Sequence, residues 1–318
     1  MKISSLIAFL LLFPGSVLAQ SYPSKPIRFI VPAGAGSPVD VNARRVAPKL
    51  AEALGQPVII DNRPGANSMI GAREAARAAP DGHTLFQAVV NNALNDLLTP
   101  DACCVLNDKL IAVTRLYSTP LVMVVHPSVP AANLKEYVAH ARANPGKLTY
   151  ASGGSGAITQ LLGELVKATA GIQVRDVPYK AIGAEVPDLV GGHVSTGYLA
   201  PWAVGDLVKG GKLRGLAVAG PSRVSFLPDI PTMADAGYPG VEATGWNGIF
   251  VPAGTPAPVI QRLHQELARI MASKEIRDDA VTLGAQAGGE RPEEFAAFVR
   301  SEIQKWGKVI KDTGIKIE

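Results

Sequence analysis

The sequence predicts an α/β protein of two lobes that meet at a pair of crossing strands. Three observations lead there. Short apolar runs alternate with amphipathic stretches along most of the chain, the pattern of βαβ layers with parallel strands. A turn of small residues is written twice between an apolar strand and a helix, first at Phe29-Ile30-Val31-Pro32-Ala33-Gly34-Ala35-Gly36-Ser37, then at Leu148-Thr149-Tyr150-Ala151-Ser152-Gly153-Gly154-Ser155-Gly156. Proline-flanked breaks near residues 117–125 and 238–246 mark two passages between lobes. Residues 22–118 with 246–318 then form one lobe and residues 119–245 the other.

The first residues stand before the fold. Lys2 is followed by an apolar run over 6–13, then Pro14-Gly15-Ser16 and Val17-Leu18-Ala19, the pattern of a signal peptide (1–19) cleaved after Ala19. The run is too short to cross a bilayer, and no second run of about 18 apolar residues follows it. Export of a soluble protein is expected, and the lack of a cysteine near the cleavage point argues against an acyl anchor.

Strands are expected at 27–31, 58–60, 84–90, 121–125, 148–151, 174–177, 194–199, 213–218 and 248–251. Helices are expected at 39–54, 70–78, 134–144, 158–169, 185–190, 203–209, 256–272 and 292–312. Gly55 and Gly171 sit just past the helices that follow the two turns, where a left-handed C-cap is easiest for glycine. Thr255-Pro256 sets a capping hydroxyl before a proline, and Ile260, Leu263, Leu267, Ile270 and Met271 then share one face, a core stripe.

Composition narrows the function. A hydrophobic fraction of 47% with 32 glycines and 25 prolines suits an ordered α/β chain with tight loops. The net charge of +4 is spread along the sequence and aromatics are only 6%, so no nucleic-acid groove is expected. Cys103 and Cys104 are adjacent; bonding them would hold their Cα atoms about 3.8 Å apart, below the usual disulfide span, so no disulfide framework is expected. The five histidines show no paired spacing and the acidic residues form no Ca²⁺ loop; neither a metal nor a nicotinamide cofactor is expected.

Each small-residue turn is a place to hold an anion. Glycine lets a backbone approach a ligand, and the first turn of the next helix offers amides without partners at the positive end of the dipole. Two such turns suggest one ligand held from two sides. Asp40 falls in the first turn of its helix, where it either caps free N–H groups or meets the ligand. Gly65 to Ser68 supplies small residues before another helix. The run Asn91-Asn92-Ala93-Leu94-Asn95 reads as an amide-rich loop that either reads a ligand oxygen or bonds to itself. The 152–156 turn lacks the Lys of a phosphate loop and misses a G-x-S-x-G nucleophile elbow by one glycine. That near miss leaves an exported serine hydrolase as the alternative, with Ser155 as nucleophile and Asp188 or Asp206 with His193 or His264 behind it.

Further motifs occur in order: Tyr22-Pro23-Ser24-Lys25-Pro26-Ile27-Arg28, the 32–40 turn, Leu54-Gly55-Gln56-Pro57-Val58, Asn62-Arg63-Pro64-Gly65-Ala66, Ala78-Ala79-Pro80-Asp81-Gly82-His83-Thr84-Leu85, the 152–156 turn, Val177-Pro178-Tyr179-Lys180, Gly191-Gly192, Pro252-Ala253-Gly254-Thr255-Pro256 and Glu293-Glu294-Phe295. Together they resemble the substrate-binding receptors of tripartite tricarboxylate transporters, the TctC or Bug family, across nearly all of the mature chain. The resemblance implies a periplasmic binding protein of the type II class, a monomer without a cofactor, that closes on a small carboxylate and hands it to membrane transporter subunits. It implies holding by loop amides and waters. By position it places the ligand contacts at Ala35, Gly36, Ser37 and Val39; at Ala66, Asn67, Ser68 and Met69; at Asn91; at Ser152, Gly153, Ser155, Gly156, Thr159 and Gln160; and, on a second wall after Tyr179, at Ile182 and Tyr198.

Two departures stand out. Where the family often has Asp after Gly191-Gly192-His193-Val194 and again a few residues on, this chain has Ser195 and Tyr198-Leu199; after Tyr179 the small run reads Ala181-Ile182-Gly183. The expectation is a more apolar second wall and a ligand with an apolar or aromatic body, on which Trp202 or Trp246 would stack.

Overall fold

The computed structural model describes residues 22–98, 105–154, 156–179 and 184–314. The expectations for the signal peptide, Cys103, Cys104, Ser155 and Ile182 lie outside the described residues.

The first half of the chain runs β1 (Ile27–Val31), α1 (Pro38–Leu54), β2 (Val58–Asn62), α2 (Met69–Ala76), β3 (Thr84–Val89), α3 (Val90–Leu98) and β4 (Leu110–Val125). It continues through α4 (Leu134–Ala143), β5 (Thr149–Ser152), α5 (Ile158–Ala170), β6 (Arg175–Pro178), α6 (Glu185–Val190), β7 (Thr196–Leu199), α7 (Pro201–Lys209) and β8 (Arg214–Ala219). The last part is β9 (Thr244–Pro252), α8 (Ala257–Met271), α9 (Lys274–Thr282), β10 (Gln286–Ala287) and α10 (Pro292–Thr313).

Strands lie in the order β2-β1-β3-β9-β4-β7-β5-β6, with β10 and β8 also on β4. The expected parallel layers form in two groups. β1 runs parallel to β2 and β3, and β5 runs parallel to β6 and β7. The strands between the groups, β4 and β9, pair antiparallel, which an alternation of strand and helix does not disclose.

β4 belongs to both groups. Its residues 110–120 pair with β9, and its residues 121–125 pair with β7 and β8. The sequence shows a strand only from Leu121, because Thr114, Arg115 and Ser118 break the apolar run before it. Thr114 is fully buried and its hydroxyl donates to the Glu290 carbonyl at 2.7 Å, so a polar residue sits in the core at little cost. β9 begins at Thr244, opposite Pro120, within the expected second passage.

Two helices were not legible. Residues 91–95, expected as a loop, lie in α3: Val90, Ala93 and Leu94 are buried at helical spacing and the asparagines conceal the pattern. α9 buries only Ile276 and Ala280, too few to show a period. The α8 stripe is as expected, with Leu263, Leu267, Ile270 and Met271 buried. Its cap is not: the Thr255 hydroxyl donates back to the Pro252 carbonyl at 2.7 Å, and the helix starts without a side-chain cap.

α10 packs on β4, α3 and α5, and its buried Phe295, Val299 and Trp306 join a core shared with Ile30, Phe86, Leu161 and Leu162. Trp246 is part of this core, with its ring edge-on to Phe295 at 5.7 Å and Phe298 at 6.0 Å. It offers no face to a ligand, whereas Trp202, second in α7, is 45% exposed.

Candidate ligand-binding site

In each parallel group the loops leave the carboxyl ends of neighbouring strands, the edge where open α/β sheets place ligands. Val31 lies opposite Asn62, so the β1–α1 and β2–α2 loops emerge side by side.

The β1–α1 loop is closed from within. Ser37 Oγ accepts from the Asp40 amide at 3.3 Å and so caps α1. Asp40, fully buried, takes three donors: Gly36 N–H at 2.8 Å and Arg44 Nε at 2.8 Å on Oδ2, and Asn62 Nδ2 at 2.8 Å on Oδ1. Burial pushes its carboxyl up, but these donors together hold it below the ordinary carboxylate value. Of the two roles open to Asp40, the structure shows the structural one. Ala35 and Gly36 are exposed, Ser37 and Val39 half-buried. Asn62 Nδ2 also donates to the Ala33 carbonyl at 2.9 Å, a tie to the second strand that sequence reading missed.

The β2–α2 loop takes an unusual path. Ala66, Asn67 and Ser68 all have left-handed backbones, with φ of 46°, 49° and 74°, and the Met69 amide closes the turn on the Ala66 carbonyl at 3.0 Å. The amides of Ala66, Asn67 and Ser68 find no acceptor among the described residues. In a helical turn of either hand successive N–H groups point the same way, so the three open amides of this short turn face one direction. Asn67 spends its side chain on α3, receiving from Asn91 Nδ2 at 2.8 Å and donating to Asn95 Oδ1 at 3.0 Å. The Asn67 side chain is therefore committed to α3, and only its main-chain amide is left open. Met69 is buried in the core.

The β5–α5 loop is organised by its own helix. Gly153 N–H donates to Thr159 Oγ1 at 2.8 Å, Gly154 N–H to Ser152 Oγ at 3.1 Å and Gly156 N–H to Gln160 Oε1 at 2.9 Å. Gln160 Nε2 reaches Asp176 Oδ2 on β6 at 3.1 Å. The glycine amides expected to hold an anion are thus taken by side-chain oxygens. What stays open is the start of α5: its N-cap, Ala157, provides no side-chain bond. Neighbouring α7 also starts uncapped, after Ala200. Tyr179 donates its hydroxyl to Asp188 Oδ2 at 2.7 Å; burial, then this carboxylate, pushes its pKa up to about 12.

Residues 42–315 match the family described as Tripartite tricarboxylate transporter family receptor, TctC. The chain belongs to that family. BugT of Bordetella pertussis is 34% identical over 304 residues, covering 95% of this chain and 93% of BugT. Among solved structures, R. palustris Rpa4515 with adipate is 30% identical with a TM-score of 0.81, covering 93% of this chain and 99% of that one. MatC from Rhodopseudomonas palustris with bound malate is 28% identical with a TM-score of 0.76, covering 91% and 100%. BugD, a periplasmic binding protein, has a TM-score of 0.78. The two-lobe periplasmic binding fold expected from the sequence is the fold of these TctC neighbours.

Two readings change for this TctC receptor. Ser195 lies at the amino end of β7, where its amide and hydroxyl bond Thr149 at the start of β5, away from the 152–156 loop. Tyr198 and Leu199 are 3% and 4% exposed, and the Tyr198 ring packs edge-on to Tyr150 at 5.9 Å. Burial holds the Tyr198 hydroxyl well above its ordinary pKa. The departures at these three positions alter the sheet and its core, so they give no ground for an aromatic ligand. No side-chain hydrogen bond joins Asp188 or Asp206 to His193 or His264, and among the described residues no three His, Cys, Asp or Glu side chains could hold a metal ion. No described helix is long and apolar enough to cross a membrane.

Proposed function

We propose that the chain is an exported solute-binding receptor without catalytic activity that captures a small aliphatic carboxylate between its two strand groups and delivers it to membrane transporter subunits. The observation that carries this reading is the left-handed turn at residues 66–68, whose three amides have no acceptor among the described residues. Adipate in Rpa4515 and malate in MatC supply the chemistry: both are short carboxylates.

In this reading Ala35, Gly36, Ser37 and Val39 line the ligand beside the 66–68 turn, and Asn91 adds its amide. Ser152, Gly153, Gly156, Thr159 and Gln160 with the open start of α5 form the opposite jaw. Residues 22–118 with 246–318 move against residues 119–245 about β4 and β9. Residues 1–19 direct the chain to the periplasm, where it works as a monomer. Micromolar affinity is about −8 kcal/mol. A few charge-assisted hydrogen bonds at roughly 1.5–3 kcal/mol each reach it after ordering costs.

A thermal-shift screen of the purified mature protein against mono-, di- and hydroxycarboxylates, adipate and malate included, tests the reading. A ligand at 100 times its Kd stabilises by about 2.7 kcal/mol, a rise of roughly 5 °C for a chain of this length. A flat response across the panel contradicts it.

A further inference from the structure

We propose that Asn92 and Asn95 of α3 are positioning residues: they hold Ala66, Asn67 and Ser68 in the left-handed turn, and through it they set how tightly the chain grips a carboxylate. The inference rests on the binding reading above and concerns side chains that do not themselves touch the ligand.

Left to itself the turn would not persist. For L-residues with a Cβ the left-handed region is disfavoured, asparagine being the partial exception, and here three non-glycine residues occupy it in succession. Alanine and serine have no local means of staying there. Something outside the loop must impose the shape.

α3 supplies it. Asn92 bridges β3 to the turn: its Oδ1 accepts from the Val89 amide at 2.9 Å and its Nδ2 donates to the Ser68 carbonyl at 3.1 Å. Asn95 grips Asn67 at two points. Its Nδ2 donates to the Asn67 carbonyl at 2.7 Å, and its Oδ1 accepts from Asn67 Nδ2 at 3.0 Å. The orientations are dictated by the main chain, because a carbonyl can only accept and an N–H can only donate. With carbonyls 67 and 68 both pinned, the peptide planes that carry the neighbouring amides are fixed.

Burial strengthens the argument. Asn92 is 1% exposed and Asn95 7%, on a nine-residue helix whose other buried residues, among those described, are Val90, Ala93 and Leu94. Asparagine is a weak helix former, and a buried amide is tolerated only when its polar atoms are satisfied. A leucine at either position would suit packing alone. Two buried amides three residues apart, each donating to a carbonyl of one strained turn, point to the turn as the reason for them.

The test pairs loss with rescue. Calorimetry with adipate and malate is run on the wild type, on Asn95→Leu and on Asn92→Leu, and again with Ala66→Gly and Ser68→Gly added to each. The account expects either leucine variant to bind the wild-type ligand about tenfold more weakly at a temperature where it is folded, and the glycines, which adopt positive φ freely, to restore most of that loss. Asn95→Asp, close in shape to Asn95 but unable to donate to the Asn67 carbonyl, is expected to weaken binding likewise and serves if the leucine variants do not fold. Folded Asn92 and Asn95 variants that bind as the wild type does overturn the proposal while leaving the receptor reading intact. Weakened binding that glycine does not restore also overturns it, since a role confined to stability or to direct contact predicts no rescue. A wild type that binds no carboxylate overturns both.

Discussion

Gln160 Oε1 accepts from the Gly156 amide at 2.9 Å while its Nε2 donates to Asp176 Oδ2 at 3.1 Å, so one side chain ties the β5–α5 loop to the neighbouring strand β6. Asp176 Oδ1 is buried and has no hydrogen-bond partner among the described residues. Replacing Gln160 with leucine therefore strands a carboxylate. The expected cost is about 1–3 kcal/mol by urea denaturation, with part of it recovered when Asp176 is changed to Asn in the same chain. A Gln160→Leu variant as stable as the wild type contradicts this tie.

Asp40 gives the fold an acid sensitivity. Its folded pKa is depressed, so its contribution is complete above the unfolded value of about 3.9 and is lost as pH falls through the folded pKa. Denaturation at pH 7 is expected to find Asp40→Asn less stable by about 1–3 kcal/mol. Between pH 7 and pH 3 the variant should lose less stability than the wild type. Equal losses contradict the assignment.

Tyr198 separates core from pocket. The resemblance placed it on the ligand; the structure packs it against Tyr150 and Met123 lies on the neighbouring strand. Tyr198→Phe is expected to leave carboxylate affinity unchanged, and Tyr198→Ala to cost about 3–5 kcal/mol of stability. A Tyr198→Phe variant with normal stability and much weaker binding would return this residue to the pocket.

These comparisons show what a sequence discloses. The two small-residue turns and the helices after them were legible because glycine, proline and capping serine mark ends locally: Gly55 and Gly171 have the left-handed φ expected of them, and Ser37 caps α1. The first half of β4 and all of α3 were not, because their polar residues are satisfied by partners far along the chain, Thr114 by Glu290 and Asn95 by Asn67. The site divides the same way. The loops proposed for it are those that glycine and serine mark in the sequence. That the glycine amides of 153–156 are taken by Thr159, Ser152 and Gln160, and that the open amides are those of 66–68, follows from hydrogen bonds that no spacing encodes.

Gly284 reports on the contact between the α9–β10 turn and the start of α7. Its φ is 63°, and a Cβ there would stand 2.6 Å from Pro201 Cβ. Gly211, with φ of 69°, has open space around it. Alanine at either site incurs the left-handed strain of about 1–3 kcal/mol, so the excess loss in Gly284→Ala over Gly211→Ala measures the contact. An excess is expected in thermal melts; equal losses contradict the packing of Gly284 on Pro201.

The central claim is that this receptor holds a small carboxylate, and isothermal calorimetry of the mature protein against adipate, malate and related short carboxylates tests it most directly. The account predicts saturable one-site binding with a Kd on the order of micromolar, about −8 kcal/mol, for at least one of them. No heat of binding for any carboxylate, from a protein shown to be folded, would contradict it.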